Sequence, residues 1–221
     1  MSTLYVVATS IGNLADITLR ALDVLKNVDL ILCEDTRQTQ KLLNHYEIKT
    51  PTISYHQHSQ LKKVEYIIRL LKEGKDLALV SDAGTPGISD PGNKLIEKMT
   101  EVEPSSFKIV SIPGVSALTA AASISGFPMD KFVFMGFPPA KKKRKRFFEE
   151  VAGSRHPVVF YESPHRILKS LKELSGFNES LEVVVCRELT KKFETVYRGK
   201  IGEVIRQINP KGEFVVILKR K

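Results

Sequence analysis

The first half of the chain repeats one pattern, in which a short apolar run leads into a polar or glycine-rich loop and then into an amphipathic helix. The apolar runs lie at residues 4–8, 30–33, 53–55, 77–80 and 109–112. Short apolar runs bounded by turn residues are typical of buried strands, and strands that alternate with helices form parallel sheets. The pattern therefore predicts a doubly covered, mostly parallel α/β sheet. Asp16 and Asp35 are the expected amino-terminal caps of the first two helices.

The second half of the chain has a different pattern, with more strands and fewer helices. Residues 126–130 form the expected joint, and five further apolar runs follow at 132–137, 158–161, 183–186, 196–198 and 214–218. We therefore predict two α/β domains, residues 1–125 with a parallel sheet and residues 126–221 with a mixed sheet. A cleft between two such domains is a common place for a ligand.

The loop at residues 81–92, Ser-Asp-Ala-Gly-Thr-Pro-Gly-Ile-Ser-Asp-Pro-Gly, joins the fourth strand to a helix that starts near Asn93. Its glycines permit positive φ and close approach of a ligand, whereas its prolines fix the chain. Loops at the carboxyl ends of parallel strands commonly bind ligands. We interpret it as a rigid binding loop; the alternative is a tight connection without a ligand.

Several classes of protein are excluded by absent patterns. The chain contains neither the P-loop pattern, nor G-x-G-x-x-G, nor G-x-S-x-G. No apolar run reaches the length of a membrane span, so we expect a cytoplasmic protein without a membrane partner. Cys33 and Cys186 each lie in an apolar segment and are expected to be buried, and His56 and His58 lack a third ligand, so no metal site is predicted.

The basic tract at residues 141–146, Lys-Lys-Lys-Arg-Lys-Arg, accounts for most of the net charge. The formal charge is +9, and without these six residues it is 9 − 6 = +3. Such a tract suits a polyanion such as nucleic acid or an anionic membrane surface, although an isolated charge run is usually a solvated surface. Because Phe147 and Phe148 follow directly, we expect the tract to be attached to a packed helix.

Two polar segments follow successive strands of the second half. Residues 162–166, Glu-Ser-Pro-His-Arg, open a helix with Ser163 as the expected cap, and residues 187–192, Arg-Glu-Leu-Thr-Lys-Lys, follow the next strand. An ordinary cap and an Arg–Glu ion pair would explain both. Their recurrence at neighbouring strand ends favours a functional site.

The loop at residues 81–92 and the two polar segments at residues 162–166 and 187–192 together resemble the ribosomal small-subunit RNA methyltransferase I family of the tetrapyrrole methylase superfamily. The resemblance also rests on residues 9–14, 33–37, 112–114, 160–166, 187–194 and 211–214. It implies two α/β domains with a cofactor cleft between them and S-adenosylmethionine as cofactor. It further implies 2′-O-methylation of a cytidine in 16S ribosomal RNA, with the RNA or the small ribosomal subunit as partner, by a homodimer.

The resemblance also implies roles for individual residues. The implied cofactor contacts are Asp82, Gly84, Thr85, Pro86, Gly87, Ile88, Ser116, Ala117, Phe137, Tyr161 and Phe214. From their positive charge, we expect the RNA backbone to be held by Arg37, Lys141, Lys142, Lys143, Arg144, Lys145, Arg146 and Arg166. Glu162, Glu188, His165 and Lys191 are the candidate proton acceptors. We favour Glu162, with Arg187 or Lys191 orienting the ribose phosphate.

The chain departs from the family pattern at a few positions. Ser10 and Val115 stand where proline is usual, and Gln57 and Gln60 replace carboxylates. Two alternatives therefore remain: a tetrapyrrole or protein methyltransferase of the same superfamily, and a non-catalytic RNA-binding protein on that scaffold. The basic tract argues against the former, and the retained loop at residues 81–92 argues against the latter.

Overall fold

The computed structural model describes residues 1–56, 61–90, 92–102 and 106–219. Contacts divide the chain into two compact units, Met1–Ser116 and Ala117–Lys221. Gln57 and Gln60, which depart from the family pattern, and His58, which was considered as a metal ligand, lie outside the described residues. Within the described ranges no helix is long and apolar enough to cross a membrane.

The first unit is a five-stranded parallel sheet with helices on both faces, as predicted. Its strands are β1 (Thr3–Val7), β2 (Leu30–Cys33), β3 (Thr52–Ser54), β4 (Leu77–Leu79) and β5 (Lys108–Ile112). Its helices are α1 (Leu19–Asn27), α2 (Thr36–His45), α3 (Leu61–Lys72) and α4 (Asn93–Val102). The strand order is β3-β2-β4-β1-β5, and every pairing is parallel.

Alternation along β4 explains why both faces of this sheet are covered. Leu77 and Leu79 lie in the apolar cluster with α3 and α4, whereas Ala78 lies in the cluster with α1 and α2. Successive residues of a strand point to opposite faces, so a continuous apolar run supplies both layers.

The two predicted helix caps have different outcomes. Asp35 caps α2, because its carboxylate accepts a hydrogen bond from the Arg37 amide at 2.8 Å. The prediction for Asp16 is wrong: it lies in a separate 3₁₀ turn, and the Thr18 hydroxyl caps α1 by accepting from the Ala21 amide at 3.1 Å.

The second unit contains the predicted mixed sheet. Its elements are α5 (Ala117–Ile124), β6 (Val133–Phe134), α6 (Arg144–Gly153), β7 (Val158–Glu162), α7 (Ile167–Ser175), β8 (Glu182–Arg187), β9 (Thr195–Lys200), α8 (Ile201–Gln207) and β10 (Phe214–Leu218). The order is β6-β7-β10-β8-β9, with β6 parallel to β7 and the other pairs antiparallel. Phe148, Phe160 and Leu171 lie at the centre of its apolar core.

The division between the units falls one helix earlier than the predicted boundary at residues 125 and 126. Helix α5 packs on β10. The Arg198 guanidinium donates a hydrogen bond to the Ile124 carbonyl at 2.6 Å. These contacts place α5 with the second unit.

Both cysteines are buried in the two sheets, as expected from their apolar surroundings. Burial raises the pKa of the Cys186 thiol to about 11 and also raises the pKa of Cys33. Because the thiolate is the reactive form, both thiols are unreactive at neutral pH.

Candidate active site

The loop that follows β4 is joined to the loops that follow β1 and β5. Thr9 and Gly84 exchange backbone hydrogen bonds of 2.9 and 3.1 Å. The Thr85 hydroxyl donates to the Val115 carbonyl at 3.3 Å. Gly84 has φ +76°, a conformation that side-chain-bearing residues rarely adopt. The three loops therefore form one rigid edge.

The loops after β1 and β4 leave this edge in opposite directions, because α1 packs on one face of the sheet and α4 on the other. Such a divergence leaves a crevice at the carboxyl ends of parallel strands. The predicted cofactor residues of the loop after β4 lie here, with Gly84 and Pro86 buried and Ile88 exposed; they are Asp82, Gly84, Thr85, Pro86, Gly87 and Ile88. Ser116 ends the first unit, and Ala117 begins α5.

Three carboxylates make this edge electronegative. Burial raises the pKa of Asp90 to about 6, and the charges of Glu34 and Asp82 act in the same direction, whereas a hydrogen bond from Ser81 opposes them. Burial, followed by the charge of Asp82, also raises the pKa of Glu34. The loops at residues 9–14, 81–92 and 113–116 contain no lysine or arginine. Such a site fits a positively charged ligand without phosphate groups.

In the second unit, the predicted polar segments meet at one edge of the mixed sheet. Glu162 at the end of β7 pairs with Phe214 at the start of β10, and Phe214 pairs with Arg187 at the end of β8. Arg187 in turn pairs with Thr195 of β9. One row across four strands thus places residues 162–166, 187–194 and 211–213 at the same edge.

Glu162 lies inside a closed network at this edge, and its side chain is 0% exposed. Oε1 accepts a hydrogen bond from the Ser163 amide at 2.7 Å and lies 3.1 Å from Arg166 Nε, with which it forms an ion pair. Oε2 accepts from the Ser170 hydroxyl and lies 4.0 Å from Arg144 Nη2. Neither oxygen is available to a substrate in this conformation.

Arg144 also belongs to this network. Its burial distinguishes it from the other residues of the basic tract. Its side chain is 6% exposed and donates to Glu173 at 2.8 Å, to Ser170 at 2.7 Å and to the Pro139 carbonyl at 3.1 Å. The prediction that Arg144 contacts RNA does not fit this burial. The other five tract residues are exposed on and just before the first turn of α6.

Arg166 is also held by the protein rather than presented to solvent. Its guanidinium donates to the Ser163 hydroxyl at 3.1 Å and to the Pro138 carbonyl at 3.0 Å. Because the Ser163 hydroxyl accepts this bond, it does not cap the helix as predicted; regular helix begins at Ile167, after a turn closed by the Ser163 carbonyl. His165 is exposed beside it.

Arg187 fastens two loops to the sheet edge. Its Nη1 donates to the Phe193 carbonyl at 2.8 Å, and its Nε donates to the Lys211 carbonyl at 2.5 Å. Only 9% of the residue is exposed. Its role here is to position the neighbouring Glu188 and Lys191.

Glu188, Lys191 and Glu213 form a partly exposed cluster held by these loops. Lys191 Nζ lies 3.0 Å from Glu188 Oε1 and 2.7 Å from Glu213 Oε2. Partial burial opposes the charge of Lys191, but hydrogen bonds to Glu213 and Glu188 raise its pKa. Burial likewise opposes the charge of Glu188, but the Glu213 amide and Lys191 lower its pKa. Both groups are therefore charged at neutral pH.

The backbone around Glu188 is strained and tightly packed. Glu188 has φ +52° and Thr190 has φ +64°, conformations that often occur at functional sites. Gly212 has φ +98°, and a Cβ there would lie 2.5 Å from Glu188 Cγ. Glu213 and the constraint on Gly212 have no signal in the sequence, because only the pairing of β8 with β10 brings these loops together.

The remaining predicted contacts lie at scattered places. Phe137 is half exposed and its ring centroid lies 5.4 Å from that of Tyr161, whereas Phe214 is 2% exposed in the core. Arg37 is exposed but pairs with Asp35 at 2.7 Å. Hydrogen bonds from Arg37 hold the pKa of Asp35 down to about 2.

Comparisons with known proteins agree with this architecture. Residues 3–205 match the family model described as Tetrapyrrole (Corrin/Porphyrin) Methylases. The chain is 45% identical to the ribosomal RNA small subunit methyltransferase I of Thermotoga maritima over 100% of both chains. It is 47% identical to the Vibrio cholerae protein of that name, over 97% of this chain and 76% of that one.

Solved structures show the same fold at much lower identity. A cobalt precorrin-4 methyltransferase, a cobalamin biosynthetic enzyme, superposes with a TM-score of 0.70 at 19% identity, over 98% of this chain and 94% of that one. This likeness extends to the fold alone.

Proposed function

This chain belongs to the ribosomal RNA small subunit methyltransferase I family of the tetrapyrrole methylases, and on that premise we propose that it methylates the ribose 2′-hydroxyl of a cytidine in 16S ribosomal RNA. The observation that carries the proposal is its similarity, over the full length of both chains, to the Thermotoga maritima protein. The methyl donor is S-adenosylmethionine, which supplies an electrophilic methyl group bound to a positively charged sulfur.

The edge formed by the loops after β1, β4 and β5 suits this donor. Asp82 and Asp90, together with Glu34 from the loop after β2, favour a sulfonium cation. The absence of lysine and arginine from residues 9–14, 81–92 and 113–116 matches a cofactor without phosphate. We assign to cofactor binding the residues Asp82, Gly84, Thr85, Pro86, Gly87, Ile88 and Ser116. The contacts of Ala117, Phe137, Tyr161 and Phe214 remain predictions from the resemblance, and burial of the Phe214 ring leaves only its backbone to contribute.

We move the role of proton acceptor from Glu162 to Glu188. Both oxygens of Glu162 are occupied inside the protein, whereas Glu188 is 18% exposed and its Oε2 has no hydrogen bond among the described residues. Its lowered pKa makes it a weak base. A weak base suffices, because the hydroxyl proton becomes strongly acidic as the new carbon–oxygen bond forms. Lys191, charged and adjacent, orients a phosphate of the substrate.

The exposed basic cluster, defined as Lys141, Lys142, Lys143, Lys145 and Arg146, is assigned to the RNA backbone. These cations lie at the amino-terminal end of α6, where the helix dipole disfavours positive charge. A phosphate bound there would interact favourably with both the cations and the helix. Such contacts provide affinity rather than sequence choice.

We further infer from the family resemblance that the chain acts as a homodimer in the cytoplasm. Light scattering at micromolar concentration tests the first inference, and cell fractionation tests the second.

The direct test is transfer of a labelled methyl group from S-adenosylmethionine to small ribosomal subunits that lack their own modification. Label recovered as 2′-O-methylcytidine in 16S RNA is the expected result. Binding of the cofactor without labelled RNA would refute the RNA substrate and favour a tetrapyrrole or protein substrate. Absence of cofactor binding would favour an RNA-binding protein without activity.

The cofactor loop is tested by Gly84→Ala, with Gly74→Ala as the matched control. Gly84 and Gly74 have φ +76° and +86°, and a Cβ on Gly74 would meet nothing within 4 Å. Both changes cost about 1–2 kcal/mol of strain. We expect only Gly84→Ala to raise the Kd for S-adenosylmethionine, by about tenfold or more. Equal cofactor affinity in both variants would contradict the assignment.

Glu188 is tested by Glu188→Gln, with Glu179→Gln as the control. Glu179 is an exposed carboxylate just before β8, at the opposite edge of the same sheet. Loss of a general base lowers kcat by about 10²–10⁴-fold, and we expect that loss with little change in KM for RNA or in cofactor affinity. A kcat within threefold of the parent would transfer the role to another group.

A further inference from the structure

We infer that Phe193 is a stacking platform for an unpaired base of the RNA substrate, an inference that rests on the proposed function. Phe193 is 63% exposed, more than any other phenylalanine in the described ranges. Burying a phenylalanine ring is worth about 1.5–3 kcal/mol, and this ring contributes little of that to the fold. Its exposure therefore calls for a partner outside the unit.

The backbone that carries this ring is firmly held. The Phe193 carbonyl accepts hydrogen bonds from Arg187 Nη1 at 2.8 Å and from the Thr195 hydroxyl at 3.2 Å. The Glu194 amide donates to the Lys191 carbonyl at 3.0 Å, which closes a turn around the ring. A preorganised aromatic side chain binds with a small loss of conformational entropy.

The charge around the ring favours a nucleic acid over an apolar protein surface. Lys192 Nζ lies 5.7 Å from the ring centroid, whereas Lys191 in the same turn is paired with Glu188 and Glu213. An ammonium group beside an aromatic ring matches a nucleotide, which presents a flat base and a phosphate together. Sequence-specific recognition of RNA commonly stacks splayed bases on aromatic side chains.

The position of Phe193 fits a role next to the reacting ribose. Its loop begins at Glu188, the proposed proton acceptor, and both residues are fixed to the sheet edge by Arg187 and by the pairing of Glu188 with Glu213. Stacking of a base on Phe193 would turn the attached or neighbouring ribose toward Glu188. We thus assign Phe193 to substrate positioning.

The test uses the full chain and a short single-stranded RNA that contains 2-aminopurine, whose fluorescence falls when it stacks. We expect Phe193→Ala to weaken RNA binding by roughly tenfold to a hundredfold and to abolish the quenching. Phe193→Trp is expected to retain both. Phe177→Ala is the control, because Phe177 is 45% exposed in the connection between α7 and the start of β8, whereas Phe193 follows the end of β8.

The outcomes separate this inference from the proposed function. If the parent chain transfers methyl groups to 16S RNA but Phe193→Ala binds RNA with unchanged affinity, the stacking role is refuted and the activity stands. If Phe193→Ala changes the oligomeric state without changing RNA affinity or quenching, a second copy of the chain covers the ring and the inference is wrong. If the parent chain labels no RNA, the proposed function is refuted, whatever the result for Phe193→Ala.

Discussion

Replacing Arg144 with alanine should destabilise the second unit far more than any other single change in the basic tract. The substitution leaves Glu162, which is 0% exposed, without one of its two cationic partners. Loss of one member of a buried ion pair costs about 3–5 kcal/mol. Arg166, Ser163 and Ser170 still bind Glu162, which favours the lower end of that range.

Other contacts of Arg144 add smaller amounts. Its guanidinium carbon lies 4.9 Å from the Phe148 ring centroid, a contact worth about 1 kcal/mol. Its pair with Glu173, which is 33% exposed, adds at most about 1 kcal/mol. A total of about 3–5 kcal/mol corresponds to a fall in Tm of roughly 6–20 °C for a chain of this size.

Thermal unfolding followed by circular dichroism measures this effect, with Lys145→Ala as the neighbouring control because Lys145 is 88% exposed. We expect Lys145→Ala to leave Tm within about 2 °C. Adding Glu162→Gln to Arg144→Ala removes the buried carboxylate that has lost one of its two cationic partners and should recover more than about 1 kcal/mol. A decrease in Tm of less than about 3 °C for Arg144→Ala, or no energetic coupling between Arg144 and Glu162, would show that the network does not stabilise the unit.

Two further predictions concern charge. Asp90 has a pKa of about 6 in the folded chain against an ordinary value of 3.8, so its ionisation opposes folding: stability falls as pH rises from about 4 to 6, and the full cost is present above pH 6. The full change in pKa corresponds to about 3 kcal/mol, and solvent screening at this partly exposed carboxyl reduces it. Asp90→Asn should therefore raise the free energy of unfolding by about 2 kcal/mol at pH 7.5 and by nearly nothing at pH 3.5; urea titrations at both pH values measure it, and an equal gain at both would be inconsistent with this origin. In RNA-binding titrations against salt, Lys145→Gln with Arg146→Gln should reduce the slope of log K on log[salt] by about 2. Lys26→Gln with Lys49→Gln, exposed lysines of the first unit, should not change this slope, and equal slopes for the two double variants would argue against the exposed basic cluster as the RNA contact.

The strands were predictable from sequence because their signal is local. Each of the ten apolar runs became a strand, and the run at residues 77–80 shows why: it is bounded by turn residues and is apolar at every position, as a strand with two buried faces requires. The wrong prediction that Asp16 caps α1 has a different origin. Two acceptable caps, Asp16 and Thr18, lie in the same short segment, and only the 3₁₀ turn before the helix separates them.

The buried ion-pair network was missed although two patterns point to it. Arg144 shares one helical face with Phe147, Phe148 and Val151, all buried, so spacing alone places it on the core side of α6. Alternation along β7 likewise places Glu162 on the same face as Val158 and Phe160, both in the core. When a cation and an anion both lie at core positions of neighbouring elements, an ion pair between them is expected. The cluster of Glu188 with Glu213 offers no such signal, because it depends on the register between β8 and β10.

Gly212 and Glu188 leave each other little freedom to change during evolution. Any side chain at position 212 would overlap Glu188 Cγ, so it could be accepted only if Glu188 moved or were shortened, and the ion pair between Glu188 and Lys191 would be lost with it. We expect the two positions to vary together among related sequences. A design that repositions the Glu188 carboxylate would therefore first change the residue at position 212.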